Sequence, residues 1–388
     1  MRRFRSPVAL LLVCVLAVAA CGGGEDEGTE TDEGSEETAE AATSESEASE
    51  EEAETEADPA SDEAAAATLE DELIVLCTPQ EEWCEAQSAA FEAATGVNTD
   101  YVRLSTGEAI ARLEAEGDDP SFDVWFGGPS LGPATAAQGG FIEPYVSPNA
   151  EAVQDDLKAG DGTWTGIYIG ALGFCSNQEL LDGLGVDAPT SWDDLLDPAF
   201  VDNIAMADQR TSGTASTAAA NLLALLGSED AVLEYLTDLD GNIFQYTRSG
   251  SAPGRMAAQG EVAAAVVFSH DCLLFELETG VDLVASFPAE GTGFEIGQVS
   301  VIANANNPNA ARAFVDWALT AEAQEIGATV NQFQIPVHAD AAVPEQAVSM
   351  SDIVLAPGYT ASLAEDLRGG DFPERFANEV RGGADAPE

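Results

Sequence analysis

From Glu72 onward, short apolar runs alternate with segments of helical period, and the joints between them are written in Ser, Thr and Gly. This alternation limits the fold more than any other feature of the chain. Strands are predicted at 73–76, 97–103, 123–126, 164–174, 204–207, 242–246, 262–268 and 294–303. Helices are predicted at 80–95, with Trp83, Ala90, Phe91 and Ala94 on one stripe and Gly96 as the stop, and after Ser105, where Ile110 and Leu113 face inward. Others are expected at 190–196, from Thr211 to a stop at Gly227, after Ser251, at about 308–319 and 321–328, and in the tail near 359–380. Strands alternating with helices imply an α/β architecture with mostly parallel sheets. In such sheets ligands sit where strands end and helices begin.

Four of these joints share one chemistry. They are Ser105-Thr106-Gly107, Gly127-Gly128-Pro129-Ser130, Thr211-Ser212-Gly213-Thr214 and Ser249-Gly250-Ser251. Each offers backbone N–H groups at a helix start, with hydroxyls beside them and glycine permitting close approach. That is an anion site built without lysine. Any single joint reads equally as an N-cap, and Ser105 with Glu108 spells a capping box. Four of them, all after strands, point to one shared cleft.

Charge narrows the function further. The chain carries 71 acids against 13 bases, a formal net charge of −58. A nucleic-acid backbone demands a basic face, which this composition excludes, and a polybasic membrane surface is excluded with it. Residues 22–71 are Gly, Ala, Ser, Thr and acids almost throughout, which predicts a disordered, self-repelling tether. Before it, Arg2, Arg3 and Arg5 precede an apolar run of 11 residues, 8–18. That run is too short to span a bilayer and has the size of a secretory signal. Val18-Ala19-Ala20-Cys21 resembles the lipobox of bacterial lipoproteins. The resemblance implies cleavage of 1–21, a lipid on Cys21, and a protein held outside the cytoplasm by that anchor alone.

Four cysteines remain beyond the leader: Cys77, Cys84, Cys175 and Cys272. An even number in an exported chain suggests disulfides, with three connectivities open. The favoured pairing is Cys77 with Cys84, across the first strand-to-helix turn, and Cys175 with Cys272. Four buried thiols are the alternative.

The segments VRLSTGE, DVWFGGPS, WTGIYIGALGF, TSWDDLLDPAF, RTSGTAST, YTRSGSAPGRMAAQGE and GTGFEIG make the chain similar to the extracellular solute-binding proteins of ABC importers, over 72 to about 380. The group it most resembles is the type II periplasmic-binding cluster that includes ferric-ion and sugar-phosphate binders. The resemblance implies two α/β lobes joined by crossing strands, 72–172 with 296–388 as lobe 1 and 173–295 as lobe 2, hinged at 164–177 and 294–303. It implies a monomer that closes on a small anionic solute, without a cofactor, and hands it to a permease driven by an ATPase. Ferric binders of the cluster use adjacent tyrosines, and none of the six tyrosines here are adjacent. Likeness to the sugar-phosphate branch gives His270, Asp271 and Glu295 to sugar hydroxyls. The helix starts, at Ser105, Thr106, Gly128, Ser212, Gly213, Thr214, Ser249, Gly250 and Ser251, would then hold the phosphate of a hexose phosphate. Arg210 and Arg248 flank two of those starts and are expected to pair either with phosphate or with the acidic surface. Trp125 and Tyr168 are candidates for the cleft wall or for the core.

Other classes are weaker. His270-Asp271-Cys272 invites a hydrolase reading, but in an extended chain Asp271 points away from its neighbours. A ferric-ion or aminoethylphosphonate-type phosphonate binder remains the alternative within the same class, with His270, Asp271 and Glu295 as metal ligands in the ferric case.

Overall fold

The structure is a computed structural model that describes residues 68–387. The leader, Cys21 and nearly all of the tether expected at 22–71 lie outside the described residues. In chain order the elements are β1 (Glu72–Cys77), α1 (Glu81–Thr95), β2 (Asn98–Arg103), α2 (Thr106–Glu116), β3 (Val124–Pro129), α3 (Leu131–Gln138), β4 (Ile142–Glu143) and β5 (Thr165–Asn177). Then come α4 (Gln178–Leu184), β6 (Ile204–Ala207), α5 (Gly213–Leu226), α6 (Glu229–Asp240), β7 (Ile243–Thr247), α7 (Ala252–Ala258), β8 (Ala264–Phe268), α8 (Ser269–Thr279) and β9 (Leu283–Ser286). The chain ends with β10 (Phe294–Ile302), α9 (Pro308–Ala318), α10 (Ala321–Thr329), β11 (Ile335–Pro336), α11 (Ala361–Gly369) and α12 (Phe372–Arg375), followed by a π-helical turn at Phe376–Val380. No helix among the described residues is long and apolar enough to cross a membrane.

The strands run in the order β2-β1-β3-β10-β5-β8-β6-β7, with β4 beside β10 and both β9 and β11 beside β5. The outer groups, β2-β1-β3 and β8-β6-β7, are parallel. The middle is antiparallel: β10 runs against β3 and β5, and β5 against β8. The sheet is therefore mixed, not mostly parallel as expected. The reason is that β5 and β10 are crossing strands. Thr165–Ala171 of β5 faces β10, and Leu172–Ser176 faces β8. At the change-over the Leu172 N–H donates to Gly293 O, and the buried Thr292 hydroxyl donates to Leu172 O.

This is the type II periplasmic-binding fold of two α/β lobes with a cleft between. One core gathers β1, β3 and β10 under α1 and α9, with Phe314 in edge contact with Phe91 and Phe126 at 5.0 and 5.9 Å between centroids. Another gathers β6 and β8 under α5 and α6. Leu367, Phe372, Phe376 and Val380 of the tail lie in this second core, while α11 also packs on α3. The short helix expected at 190–196 is a 3₁₀ helix, Asp193–Leu196, and Pro198 just beyond it bars its extension. The cysteines pair as favoured, Cys77 with Cys84 and Cys175 with Cys272, with sulfurs 2.03 and 2.07 Å apart.

Candidate functional site

A cleft of about 520 Å³, counting its open mouth, runs between the walls. Every residue expected to touch ligand lines it: Ser105, Thr106, Gly128, Ser212, Gly213, Thr214, Ser249, Gly250, Ser251, His270, Asp271 and Glu295.

One group of these residues is a cradle of helix starts. Ser105 caps α2, and its backbone N–H donates to the Glu108 carboxylate at 3.0 Å, so the capping box read from sequence is present. Ser212 caps α5, its Oγ accepting from Ala215 N at 3.3 Å. The three strands that end here bring these starts against one another. A Cβ placed on Gly250 would lie 2.0 Å from Thr214 Oγ1 and 3.0 Å from Ser212 Oγ, and one on Gly213 would lie 2.8 Å from Thr106 Oγ1. Thr106, Ser212, Thr214 and the Gly250 backbone therefore meet in one spot. The positive ends of α2 and α5 share it, each favouring an anion by about 0.3–1 kcal/mol.

The Gly128 joint differs from its expectation. Gly128 N donates to Tyr168 Oη at 2.9 Å, so this N–H is already satisfied by the protein. Tyr168 reaches it by lying over Gly297 of β10, where a Cβ would sit 2.0 Å from the ring. Tyr168 thus lines the cleft while nearly buried. Trp125 belongs to the core, its indole N–H donating to Thr78 Oγ1. Arg210 and Arg248 go to carboxylates: Arg210 makes two bonds to Asp208, and Arg248 pairs with Glu108 at 2.6 Å.

The second group is carboxyl-rich. His270 and Asp271 occupy the first turn of α8, and Glu295 projects from β10 opposite Gly170 of β5. The local chain is helical, not extended, which corrects the geometry used against a triad. Cys272 is instead held by Cys175. His270 Nε2 lies 3.7 Å from Glu295 Oε1 and 4.0 Å from Asp271 Oδ2. All three side chains are over nine-tenths buried. Burial pushes the His270 imidazole below its ordinary value against the pull of Asp271. Burial, with Asp271 beside it, holds the Glu295 carboxyl well above the usual range. Both shifts favour the uncharged forms of the two groups. A neutral imidazole and a protonated carboxyl each donate and accept, which suits hydroxyls. His270 stacks on Phe268 at 5.5 Å, and its Nδ1 has no partner.

Contacts cross between the walls. Gln80 Nε2 donates to Asp271 Oδ1 at 2.9 Å, Gly107 N donates to Thr211 O at 2.9 Å, and Arg248 reaches Glu108. Sequence reasoning missed Gln80, Arg103, Gln332 and Gln334, all of which line the cleft. Arg103 carried a signal: it ends β2 just before the Ser105 helix start, and among the described residues it is the one Lys or Arg lining the cleft. The glutamines had no spacing that could reveal them.

Residues 119–353 match the family model described as bacterial extracellular solute-binding protein. An uncharacterized protein of Haemophilus influenzae is 38% identical over 268 residues, covering 68% of this chain and 77% of that one. A Salmonella typhimurium protein, provisionally named a 2-aminoethylphosphonate-binding periplasmic protein, is 28% identical over 186 residues, 47% of this chain and 52% of that one. Among solved structures, the periplasmic binding protein AfuA from Actinobacillus pleuropneumoniae, with exogenous fructose 6-phosphate bound, superposes with a TM-score of 0.76 at 34% identity. It covers 80% of this chain and 98% of its own.

Proposed function

Because the chain belongs to the bacterial extracellular solute-binding protein family and so serves an ABC importer outside the cytoplasm, we propose that its cargo is a small phosphorylated polyol, in first place a hexose phosphate. The observation that carries this reading is the division of one cleft into two chemistries. Helix starts and hydroxyls converge at Thr106, Ser212, Thr214 and Gly250. His270 and Glu295, whose burial favours their uncharged forms, offer mixed donors and acceptors with Asp271. An anion fits the first and hydroxyls fit the second. Arg103 adds a charge-assisted partner for phosphate. The acidity of the whole chain does not oppose this, since distant charges are screened beyond about 8–10 Å while helix starts act at contact. The fructose 6-phosphate in the AfuA relative accords with the same chemistry.

Capture proceeds by hinge closure. The lobes, 72–172 with 296–388 and 173–295, turn about β5 and β10, with the C-terminal helices lying along both. A ligand held by one wall stabilises the shape in which Gln80, Glu108 and Thr211 meet their partners across the cleft. That shape is what the permease reads. Upstream, the Cys21 lipid keeps the monomeric protein at the outer face of the membrane.

The phosphonate reading is the second one, favoured by the name of the Salmonella relative; an ammonium would then face Asp271 and Glu295. A ferric reading is weaker, because among the described residues Tyr168 is the single tyrosine lining the cleft and its hydroxyl is bound to Gly128. A thermal-shift titration with glucose 6-phosphate, fructose 6-phosphate, 2-aminoethylphosphonate, glucose and ferric citrate separates these readings. A ligand at 100 times its Kd adds about 2.7 kcal/mol of stability. Stabilisation by a hexose phosphate but not by glucose is expected. A shift with the phosphonate or ferric citrate alone overturns the assignment.

A further inference from the structure

Two carboxamides line the cleft without belonging to the helix-start cradle or to the His270 group. Gln332 and Gln334 lie two residues apart on the segment between α10 and β11, and both line the cleft. β11 pairs with β5 at Ile169 and Tyr168, and the next residue of β5, Gly170, stands opposite Glu295. The glutamines are only 3% and 6% exposed. Gln332 Nε2 and Gln334 Oε1 are enclosed and lack a hydrogen-bond partner. Buried amide atoms in folded proteins are nearly always paired, because an unpaired one has lost its water for nothing. Two of them facing the same space form a site for a polar ligand.

Resting on the phosphorylated-polyol reading, we propose that Gln332 and Gln334 are specificity residues that bind the hydroxyl-bearing part of the solute. A hydroxyl accepts from an amide N–H and donates to an amide carbonyl. An ammonium donates three bonds and accepts none, so it leaves the Gln332 N–H group facing a cation. The pair therefore selects a sugar phosphate against an aminoalkyl phosphonate, a choice that Asp271 and Glu295 alone do not make.

The test is isothermal titration of the full chain with fructose 6-phosphate, glucose 6-phosphate and 2-aminoethylphosphonate. The variants are Gln332→Leu, Gln334→Leu and Gln332→Glu. Each leucine variant is expected to weaken hexose phosphate binding by about tenfold or more, the worth of one buried hydrogen bond, while the ligand-free unfolding midpoint does not fall. Gln332→Glu replaces the donor with an acceptor and is expected to shift preference toward the phosphonate. Wild-type binding of a hexose phosphate that both leucine variants match within about twofold overturns the role of the glutamines and leaves the function standing. No wild-type binding of either hexose phosphate overturns both. If a leucine variant fails to fold, Gln332→Glu decides, and an unchanged ligand preference overturns the proposal.

Discussion

Glu295→Gln separates a neutral carboxyl in the cleft from an ionised one. Glu295 is 4% exposed, and burial with Asp271 alongside raises its pKa well above the ordinary 4.5. A protonated carboxyl and a carboxamide have nearly the same shape, and both donate and accept. The variant should therefore bind a hexose phosphate within about threefold of wild type at pH 7.5. Had Glu295 bound as a carboxylate, losing its charge-assisted bonds would cost about 1.5–3 kcal/mol, or roughly 10- to 100-fold in Kd. Stability gives a second readout. Between pH 4.5 and its raised native value, Glu295 holds a proton in the folded state that it has lost in the unfolded one. Stability from this group is complete below 4.5 and falls as pH rises, by up to about 1.4 kcal/mol per unit. His270 acts in the opposite sense, since its lowered value loses stability as pH falls below its ordinary 6.5. Above pH 6.5 its contribution is complete; Glu365, also raised by burial, declines in the same sense as Glu295, so the Glu295 share is the difference between wild type and Glu295→Gln. Chemical denaturation between pH 6.5 and 8.5 should show a downward slope that Glu295→Gln reduces. A hundredfold loss of affinity, or an unaltered slope, refutes the reasoning.

Gly250→Ala should weaken hexose phosphate binding by about tenfold or more, because the new methyl displaces the Thr214 hydroxyl now 2.0 Å from its position, and overpacking of this kind costs about 1–3 kcal/mol; titration calorimetry reads the change. Arg103→Met should raise Kd by roughly 10- to 100-fold and flatten its salt dependence, as measured from 50 to 500 mM salt, roughly spanning weak to strong screening. Replacing Cys175 and Cys272 by alanine opens a link between residues 97 apart and should lower stability to urea by about 4.7 kcal/mol, against about 2.4 kcal/mol for the seven-residue Cys77–Cys84 link, by the loop-entropy relation.

Much of this architecture was legible because its signals are local. Fully buried β3, β6 and β8 read as unbroken apolar runs, and the Ser105–Glu108 box and the Gly227 stop of α5 stand where the sequence put them. The twelve proposed contact residues lie along one cleft because nearly all of them sit at or just after strand ends, which converge in this fold, while Glu295 sits near the start of the crossing strand β10. Other features depend on partners far along the chain. The two-residue strands β4 and β11 exist through pairing with β10 and β5. Strand direction in the middle of the sheet follows from the crossing of β5 and β10, which no local pattern records. The start of α8 was misread as extended because it follows β8 without a turn residue. Gly128 offers the motif of an anion site, yet Tyr168, forty residues away, takes its N–H.

The most direct test of the central claim is a crystal structure with fructose 6-phosphate bound. The account predicts phosphate oxygens within hydrogen-bond reach of Thr106, Ser212, Thr214 and the Gly250 backbone, and sugar hydroxyls on His270, Asp271 and Glu295. A phosphate seated instead against Asp271 and Glu295, or a sugar bound outside the cleft, would contradict it.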